Sequence, residues 1–404
     1  MDRLTGKNLL ILGLARQGKA LARFAAGVGA TVTVSDLGSE ESLRPVMNDL
    51  ADLKIEYVLG KHPLSLLDNC DLIALSGSVP IDAPFVLEAR RRGIPLTNDS
   101  QEFLRRCKTE NIIGITASAG KTTTTSLVAA IGAKSDQQTW VGGNIGFPLI
   151  ERVDEINPGD LVVQELSSFQ LEIWLHSPKI AAILNVTPNH LDRHKVMAVY
   201  AAAKGNLIRH QTKDDVTVLS ADDAGAAQLA PLTRGRVLWF GLDKAKMAGK
   251  DGATVKNGRI VIRTGDSEID VMSVDAIPLI GRHNVLNVLA ASLLAHTAGI
   301  GPDDIEAAVR EFEAVPHRQE LVATLNGVQY VNDSIATAPE RALAALAAYK
   351  ESGDPLILLA GGRDKNMVWE PWAKTVKDQV KTVILFGALS HLLKEKLAEV
   401  GRSE

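Results

Sequence analysis

The stretch NIIGITASAGKTTTTSLVAAIGA, from Asn111 to Ala133, constrains the fold of this chain more than any other. Its apolar start predicts a buried strand, which a loop of small residues and then a helix follow. A strand, a small-residue loop, Gly-Lys-Thr and a helix in this order are typical of a phosphate-binding loop, where backbone N–H groups at the helix N-terminus face an anion. We expect the Lys121 amine to reach the outer phosphates of a nucleotide and the Thr122 hydroxyl to bind Mg²⁺. The predicted nucleotide-binding residues here are Gly120, Lys121, Thr122 and Thr123.

The loop departs from the usual pattern in one respect. Ile115 stands where the pattern has its first glycine, and Ala117 and Ala119 lie within the loop. The stretch is therefore either a variant phosphate loop or a small-residue turn that carries a lone lysine. Because GKTTTT rarely follows a strand for any other reason, we favour the phosphate loop.

The composition limits the class of protein. A chain of 404 residues, with 46% hydrophobic and 23% charged residues, predicts two or three α/β domains. The net charge of −4 gives no electrostatic argument for nucleic acid or an anionic membrane as partner. We expect a cytoplasmic protein, because the sequence has only two cysteines, no secretory signal and no apolar run of membrane-spanning length.

The first segment, residues 1–105, has the pattern of a Rossmann-like nucleotide-binding domain. A strand, the turn Gly13-Leu14-Ala15, a helix from Lys19 to Val28 and a second strand that ends at Asp36 form a βαβ unit. Ala15 replaces the middle glycine of the dinucleotide fingerprint, so a tight turn without a ligand stays an alternative. The Ser76-Gly77 turn follows another predicted strand and could line the same crevice, because ligands of open α/β sheets bind at the carboxyl ends of strands.

The second segment, residues 106–313, carries most of the polar residues that follow strands. Glu165 ends a predicted strand, which is the usual place for a Mg²⁺-holding carboxylate beside a phosphate loop, although a strand-end acid can also be a plain surface residue. Asn144 lies in a glycine-rich turn, and Ser167 could cap a helix. His190 stands in a polar loop and could bind metal or be a surface histidine. Spacing alone makes Lys204 an ordinary solvated helix lysine.

The third segment, residues 314–404, predicts a second, smaller doubly wound unit. Arg318 lies near its start, Asp333 follows one strand, and Lys365 follows the strand at 356–359. Asn284, at the end of the second segment, starts a helix and could cap it or contact a base. Since strand carboxyl ends collect ligands, Asp333 and Lys365 are site candidates.

Together these motifs resemble those of the Mur ligases, the ATP-dependent amide-bond ligases of peptidoglycan precursor synthesis. ASAGKTTT, GGNIG, ELSSFQLE, NVTPNHLDRH, GRHNVLNVLAA, PHR and NDSIATAPE occur in the family's order along nearly the whole chain. ELSSFQLE and NDSIATAPE are most similar to the member that adds D-glutamate. The resemblance implies a three-domain α/β fold: a UDP-substrate domain over 1–105, a central ATP-binding domain over 106–313 and a C-terminal domain over 314–404 that we expect to be truncated.

The resemblance also implies roles for individual residues and a set of ligands. It makes Glu165 and His190 ligands of two Mg²⁺ ions, joined by Thr122 and by Lys204 as a carbamylated lysine, with Lys121, His190 and Lys204 as the catalytic group. Asn284, Arg318 and Asp333 would hold ATP. The UDP-N-acetylmuramoyl-L-alanine site would use Leu14, Ala15, Asp36, Ser76, Gly77, Asn144 and Ser167, and Lys365 would approach D-glutamate. We expect a monomer with these small-molecule substrates, without nucleic acid or membrane.

The chain departs from the family's pattern at several positions. Ile335 stands where the family usually has lysine, so a cation near the substrates is absent or comes from Arg363 or Arg341. The loop that grips the D-glutamate carboxylate is not found before Glu404. Three alternatives stay open: another muramyl or folylpolyglutamate-type ligase, a non-catalytic nucleotide-binding protein, and a nicotinamide dehydrogenase based on the N-terminal turn.

Overall fold

The computed structural model describes residues 2–350, 353–364 and 367–402. Successive parts of the chain build a first parallel sheet, a larger central sheet and a C-terminal part with two strand pairs. None of the helices in these residues combines the length and the apolar character that crossing a bilayer requires.

The first sheet is parallel, with the strand order β3-β2-β1-β4-β5. Its strands are β1 (Asn8–Leu12), β2 (Thr31–Asp36), β3 (Ile55–Leu59), β4 (Leu72–Leu75) and β5 (Leu96–Thr97). The helices are α1 (Arg16–Gly27), α2 (Glu40–Asn48), α3 (Pro84–Arg91) and α4 (Asp99–Leu104). Helix α1 begins at Arg16 rather than at Lys19 as the sequence suggested, which places Arg16 in its first turn.

The central sheet runs in the order β14-β13-β12-β11-β10-β9-β6-β8-β7. Its strands are β6 (Ile112–Thr116), β7 (Thr139–Gly143), β8 (Leu161–Glu165), β9 (Ile180–Ile183), β10 (Val216–Ser220), β11 (Arg236–Phe240), β12 (Gly252–Lys256), β13 (Arg259–Thr264) and β14 (Ser267–Ser273). Pairing is parallel from β7 to β12 and antiparallel from β12 to β14. Strands β6 and β8 are buried along their whole length, as expected for a parallel sheet covered on both faces.

Helices cover both faces of the central sheet. They are α5 (Lys121–Lys134), α6 (Ser168–Leu171), α7 (Leu191–His194), α8 (Met197–Arg209), α9 (Ala224–Ala227), α10 (Lys244–Met247), α11 (Arg282–Thr297) and α12 (Pro302–Arg310). Helix α11 is apolar on almost all sides and packs against α5 and the sheet in one large core cluster. Residues 191–194, which the sequence suggested to be loop, form the short helix α7.

The C-terminal part contains an antiparallel and a parallel strand pair. Strands β15 (Glu320–Leu325) and β16 (Val328–Asn332) pair antiparallel, and β15 was missed in the sequence. After α13 (Pro339–Lys350), the strands β17 (Leu356–Gly361) and β18 (Val380–Phe386) pair parallel on either side of α14 (Glu370–Gln379), and α15 (Ser390–Glu399) follows. Strands and helices alternate over these elements, as the sequence pattern predicts.

Buried polar contacts join the first sheet to the central one. The Asn98 side chain caps α4 by accepting from Gln101 N, and its amide donates to Gln170 O at 2.8 Å. Gln101 Oε1 in turn accepts from Leu175 N at 2.6 Å. Because buried polar groups lose free energy unless they are paired, these contacts fix the angle at which the two sheets meet.

Candidate active site

One cavity of about 900 Å³ lies where the carboxyl ends of β6, β8 and β9 meet the start of α11 and the C-terminal part. Ligands of open α/β sheets bind at this edge. The cavity brings together residues that the sequence analysis selected from two separate segments. They are Gly120, Lys121, Thr122, Thr123, Asn144, Glu165, Ser167, His190, Lys204, Asn284, Arg318 and Asp333.

The phosphate loop is built on a left-handed glycine. Gly120 has φ +86° and caps α5, which begins at Lys121. A Cβ on Gly120 would lie 2.5 Å from Asn287 Oδ1. Glycine at this position is therefore required by the packing of α11, and not only by the approach of a ligand. Asn287 also accepts from Thr124 Oγ1 and donates to Asn284 Oδ1. The sequence analysis missed Asn287, although its position three residues after Asn284 puts both on one face of α11.

Two lysine amines meet at one loop carbonyl. Lys121 Nζ and Lys204 Nζ each donate to Ala117 O at 2.8 Å, and Lys204 also reaches Thr116 Oγ1 at 3.3 Å. Burial lowers the pKa of Lys121 to about 8, an effect that Glu165 opposes. Burial likewise holds the pKa of Lys204 well below its ordinary value, and the charge of Lys121 adds to this shift. Lys204 is therefore a buried amine, and the solvated lysine that spacing alone suggested is wrong.

Glu165 and Asn144 form a hydrogen-bonded pair at the cavity wall. Asn144 Nδ2 donates to Glu165 Oε1 at 2.8 Å, and Asn144 N donates to Glu165 O at 2.8 Å. The second carboxylate oxygen, Oε2, is buried and accepts no hydrogen bond from the described residues. A buried carboxylate oxygen of this kind needs a cation or donor, and Mg²⁺ prefers oxygen ligands. Across the described part of the chain, no three His, Cys, Asp or Glu side chains converge on a metal position by themselves.

Ser167 and His190 lie on the wall beside this pair. Ser167 caps α6 in a capping box with Gln170, so its hydroxyl is engaged in the local structure as the sequence suggested. His190 adopts the left-handed conformation with φ 55° just before α7. Its ring meets the ring of Phe169 edge-on at 5.0 Å between centroids.

The C-terminal part closes the cavity with polar groups of both signs. Arg318 Nη2 donates to Thr122 Oγ1 at 2.9 Å, which connects it directly to the phosphate loop. Asp333 Oδ1 accepts from Gln319 N at 3.1 Å. Burial raises the pKa of Asp333, and burial together with the charge of Arg341 lowers that of Arg318.

Arg341, one of the two cations considered for the position of Ile335, lines this cavity together with Ile335 itself. Its Nη1 donates to Ile335 O at 3.2 Å. Arg363, the other candidate, is exposed and is not among the residues of the cavity wall. Lys365, predicted for D-glutamate, falls outside the described residues.

The predicted residues of the first segment lie apart from the cavity wall. The Leu14 side chain is buried, and Leu14 N donates to Asp36 Oδ2 at 2.7 Å, while Asp36 Oδ1 accepts from Gly38 N at 2.7 Å. Asp36 thus holds its own turn together. Ala15 is the exposed cap of α1, and Ser76 and Gly77 follow β4 at the same edge of the sheet.

The fold and the cavity define an α/β protein with a phosphate-binding loop whose site draws on more than one sheet. Residues 115–295 match the family description "Mur ligase middle domain", and residues 7–98 match "Mur ligase MurD-like, N-terminal domain". The chain belongs to the Mur ligase family.

Relatives along nearly the whole chain carry one name. The UDP-N-acetylmuramoylalanine--D-glutamate ligase of Pelotomaculum thermopropionicum is 37% identical over 401 residues, which are 99% of this chain and 86% of the relative. The protein of the same name from Symbiobacterium thermophilum is 40% identical over 391 residues, or 97% of this chain and 85% of the relative.

Solved structures share the fold at lower identity. UDP-N-acetylmuramate-alanine ligase MurC from Thermotoga maritima superposes with a TM-score of 0.59 at 21% identity, covering 98% of this chain and 89% of that one. MurF from Acinetobacter baumannii superposes with a TM-score of 0.61 at 16% identity, covering 98% of this chain and 81% of that one. Both support the three-domain α/β fold that the sequence predicts.

Proposed function

We propose that this chain is an ATP-dependent ligase that adds D-glutamate to UDP-N-acetylmuramoyl-L-alanine in cytoplasmic peptidoglycan precursor synthesis. The observation that carries the proposal is the near full-length identity of 36–40% to ligases of that name. The cavity supports it, because a phosphate loop, a buried carboxylate and several cations line one wall. We place the domain boundaries at 105/106 and 313/314 and propose that the chain acts as a monomer.

The reaction runs in two steps. The terminal carboxylate of UDP-N-acetylmuramoyl-L-alanine attacks the γ-phosphorus of ATP. The bond from this phosphorus to the β,γ-bridging oxygen breaks, so that ADP departs and the substrate carries an acyl phosphate. The D-glutamate amine then attacks the acyl carbon, and the tetrahedral intermediate expels phosphate as the nitrogen loses a proton. Phosphoryl transfer of this kind depends mainly on positioning and charge stabilisation. Lys121 and Arg318 supply fixed positive charge at the loop, and the two asparagines Asn284 and Asn287 keep that loop in place.

Mg²⁺ fits the side chains that face the cavity. Glu165 offers a buried oxygen that has no donor among the described residues, Thr122 a hydroxyl and His190 a ring nitrogen. When bound, Mg²⁺ would neutralise the phosphate charge that builds up during transfer. Few protein ligands suffice, because Mg²⁺ commonly keeps waters and substrate phosphates in its shell. We propose two such ions, with Lys204 as a ligand of the second.

Lys204 becomes a metal ligand by carbamylation. Its unprotonated amine adds to the carbon of CO₂ and loses a proton, which leaves an N-carboxylate on Nζ. The depressed pKa of Lys204 favours this step, because only the neutral amine is a nucleophile. The change also replaces the repulsion between Lys204 and Lys121 by attraction. The remaining contacts stay as the family resemblance implies, including Lys365 toward D-glutamate.

Phosphate release tests the proposal. The protein is incubated with ATP, Mg²⁺ and UDP-N-acetylmuramoyl-L-alanine, and each D- and L-amino acid is added in turn. We expect D-glutamate to stimulate release most strongly. Stimulation by a different amino acid would indicate another ligase of the family, and no stimulation by any of them would contradict ligase activity.

A further inference from the structure

Two arginines cross the junction between the first and the central sheet in opposite directions. Arg16, in the first turn of α1, reaches the β7 turn, by which we mean residues 143–146 of the central sheet. Arg193, in α7 of the central part, reaches the β4 turn, residues 76–79 of the first sheet. Each guanidinium therefore grips backbone carbonyls of the opposite sheet, and neither contact was expected from the sequence.

Arg16 connects to Glu165 through Asn144. Arg16 Nη1 donates to Gly146 O at 2.6 Å and Nη2 donates to Asn144 O at 2.9 Å. The side chain of Asn144 then donates to Glu165 Oε1, the carboxylate whose other oxygen has no donor among the described residues. Gly146 has φ +58°, a conformation that glycine adopts without strain, so the turn can present both carbonyls to Arg16.

Arg193 connects to His190 in a similar way. Its Nη1 donates to Gly77 O at 3.0 Å and its Nη2 donates to Val79 O at 2.7 Å. Its guanidinium also stacks on the Phe169 ring, 4.5 Å from the centroid, and that ring contacts His190. Glu172 Oε2 lies 3.5 Å from Arg193 Nη2 and is nearly buried, which holds the guanidinium charge in place.

We propose that Arg16 and Arg193 form a two-way clamp that positions the UDP-substrate turns of the first sheet against Glu165 and His190. Both are positioning residues, since they act through Asn144 and Phe169 rather than on the reacting atoms. The inference rests on the proposed function for the identity of the substrate. The clamp would fix the distance between two sites. One is the part of the first sheet that holds the UDP end of the substrate, and the other is the phosphate loop, where the carboxylate end reacts.

The chemistry of arginine suits this task. A planar guanidinium presents several N–H donors in a rigid fork, so it can bind two carbonyls at once and fix both distance and angle. A lysine ammonium carries its three N–H donors on one nitrogen at the end of a flexible stem, so it fixes the two separate carbonyls less firmly. A conservative lysine variant should therefore recover only part of the function, whereas a purely electrostatic role predicts full recovery because lysine keeps the charge.

Kinetics with matched controls give the first test. We expect Arg16→Ala and Arg193→Ala each to lower kcat/KM for the UDP-substrate by on the order of 10- to 100-fold, through both kcat and KM, because small misplacements of reacting groups are costly. The KM for ATP should change by less than about twofold, since the phosphate loop is untouched. Arg23→Ala, on the same helix but bonded to Asp52 and Asp49 of its own sheet, is the control for Arg16. Arg209→Ala, which removes a local contact to Asn206, is the control for Arg193.

Further variants separate positioning from folding. Arg16→Lys and Arg193→Lys should each recover part of the loss, and thermal unfolding should report folded protein for every variant that is compared. If both arginines set one geometry, the double alanine variant should lose less than the product of the two single losses. Full multiplication, or equal losses in the two control variants, would contradict a joint clamp.

Hydrogen exchange tests the clamp without any turnover. Asn144 N is protected by Glu165 O and Val79 N by Ser76 O. Arg16→Ala should speed exchange at Asn144, Arg193→Ala should speed it at Val79, and the two control variants should do neither. Unchanged exchange at both amides would overturn the clamp even in an active enzyme. A wild-type protein that releases no phosphate but shows the expected exchange would instead contradict the proposed function and keep the clamp.

Discussion

The chain contains two strand-turn-helix units that each include a left-handed glycine and differ in chemistry. The first runs from β1 through Gly13 into α1, and the second from β6 through Gly120 into α5. Gly13 has φ +91° and Gly120 has φ +86°. A Cβ on Gly13 would lie 2.8 Å from Ser76 Cβ, and one on Gly120 would lie 2.5 Å from Asn287 Oδ1. Both turns thus need glycine for conformation and for a close neighbour.

The first residue of each helix is a cation, and the two cations behave differently. Lys121 folds back onto its own loop, donates to Ala117 O and has its pKa lowered to about 8 by burial. Arg16 is exposed and reaches out to the β7 turn of the next sheet. The turn before Arg16 is held by the carboxylate of Asp36, whereas the loop before Lys121 is shared with the amine of Lys204.

This difference teaches that the strand-glycine-helix backbone supplies a helix N-terminus but does not select the ligand. Arg318 and Arg341 come from other elements and bring positive charge to the second unit. Beside the turn of the first unit the charged side chain is instead the carboxylate of Asp36. We therefore assign the triphosphate to the second unit, and each prediction below breaks or sharpens the contrast between the two.

The largest effect is expected for Lys121→Ala. Removing the cation from the phosphate loop should lower kcat by about 10³- to 10⁵-fold, because a single positive charge on the transferred phosphoryl group has effects of this size. Arg16→Ala should lose far less. Initial rates of D-glutamate-dependent phosphate release measure both. Lys134→Ala, at the other end of α5 and paired with Glu311, is the matched control. Comparable losses for Lys121→Ala and Arg16→Ala would break the contrast.

The second-largest effect is expected at Lys204, which shares the carbonyl of Ala117 with Lys121. Lys204→Ala should lower kcat by about 10²- to 10³-fold, the range seen when one charge-stabilising group is removed from an active site. Acetate or another short carboxylic acid should restore part of the rate, because it can replace the carboxylate of the carbamate. The same acids should not rescue Lys121→Ala. A Lys204→Ala variant that no acid rescues would count against carbamylation.

The local units could be predicted from the sequence, because each depends on neighbouring residues. The strand, small-residue loop and helix around Gly120 follow from apolar periodicity and glycine chemistry, and the family motifs added the members of the cavity. Ala117 O as the shared acceptor of two lysines could not be predicted, since it depends on where α8 packs. The same holds for Asn287, whose role appears only when α11 lies against the loop.

The errors in the prediction also have physical causes. The strands β12, β14 and β15 were missed because partly exposed strands carry weak apolar alternation. Whether they form depends on their pairing with neighbouring strands. The α1 start was placed at Lys19 because Ala15 and Gln17 are poor signals for a cap. That shift hid Arg16, whose partners lie in another sheet and leave no trace in local sequence.

A further test of the contrast between the two units is Arg341, one of the cations that line the cavity beside the second unit. Among the described residues the Arg341 side chain makes one hydrogen bond, to Ile335 O, and no ion pair, so most of its guanidinium donors are available to an anion in the cavity. Arg341→Ala should raise the KM for ATP or lower kcat by about 10- to 100-fold, as expected for one charged hydrogen-bonding group. Adding Ile335→Lys to this variant should restore part of the loss, since both residues line the cavity. Lys350→Ala, exposed at the far end of α13, should have no effect. Unchanged kinetics of Arg341→Ala would leave the position of Ile335 without a substitute cation.

The smallest effect is a pH dependence that only the second unit should show. In the proposed site the Lys121 amine binds phosphate in its protonated form. Its pKa of about 8 means that this form is complete well below pH 8 and is lost as pH rises through that value. Bound triphosphate favours the protonated amine, so above pH 8 binding requires the uptake of a proton from solvent. The KM for ATP should therefore rise by up to about tenfold per pH unit above 8 and stay flat between pH 6 and 7.

Arg16 keeps its charge throughout this range, because a guanidinium does not deprotonate there. The KM for the UDP-substrate should accordingly show no such rise, and a Lys121→Arg variant that still binds ATP should lose the pH dependence. Equal rises for both substrates would show that the change arises elsewhere than at the phosphate loop.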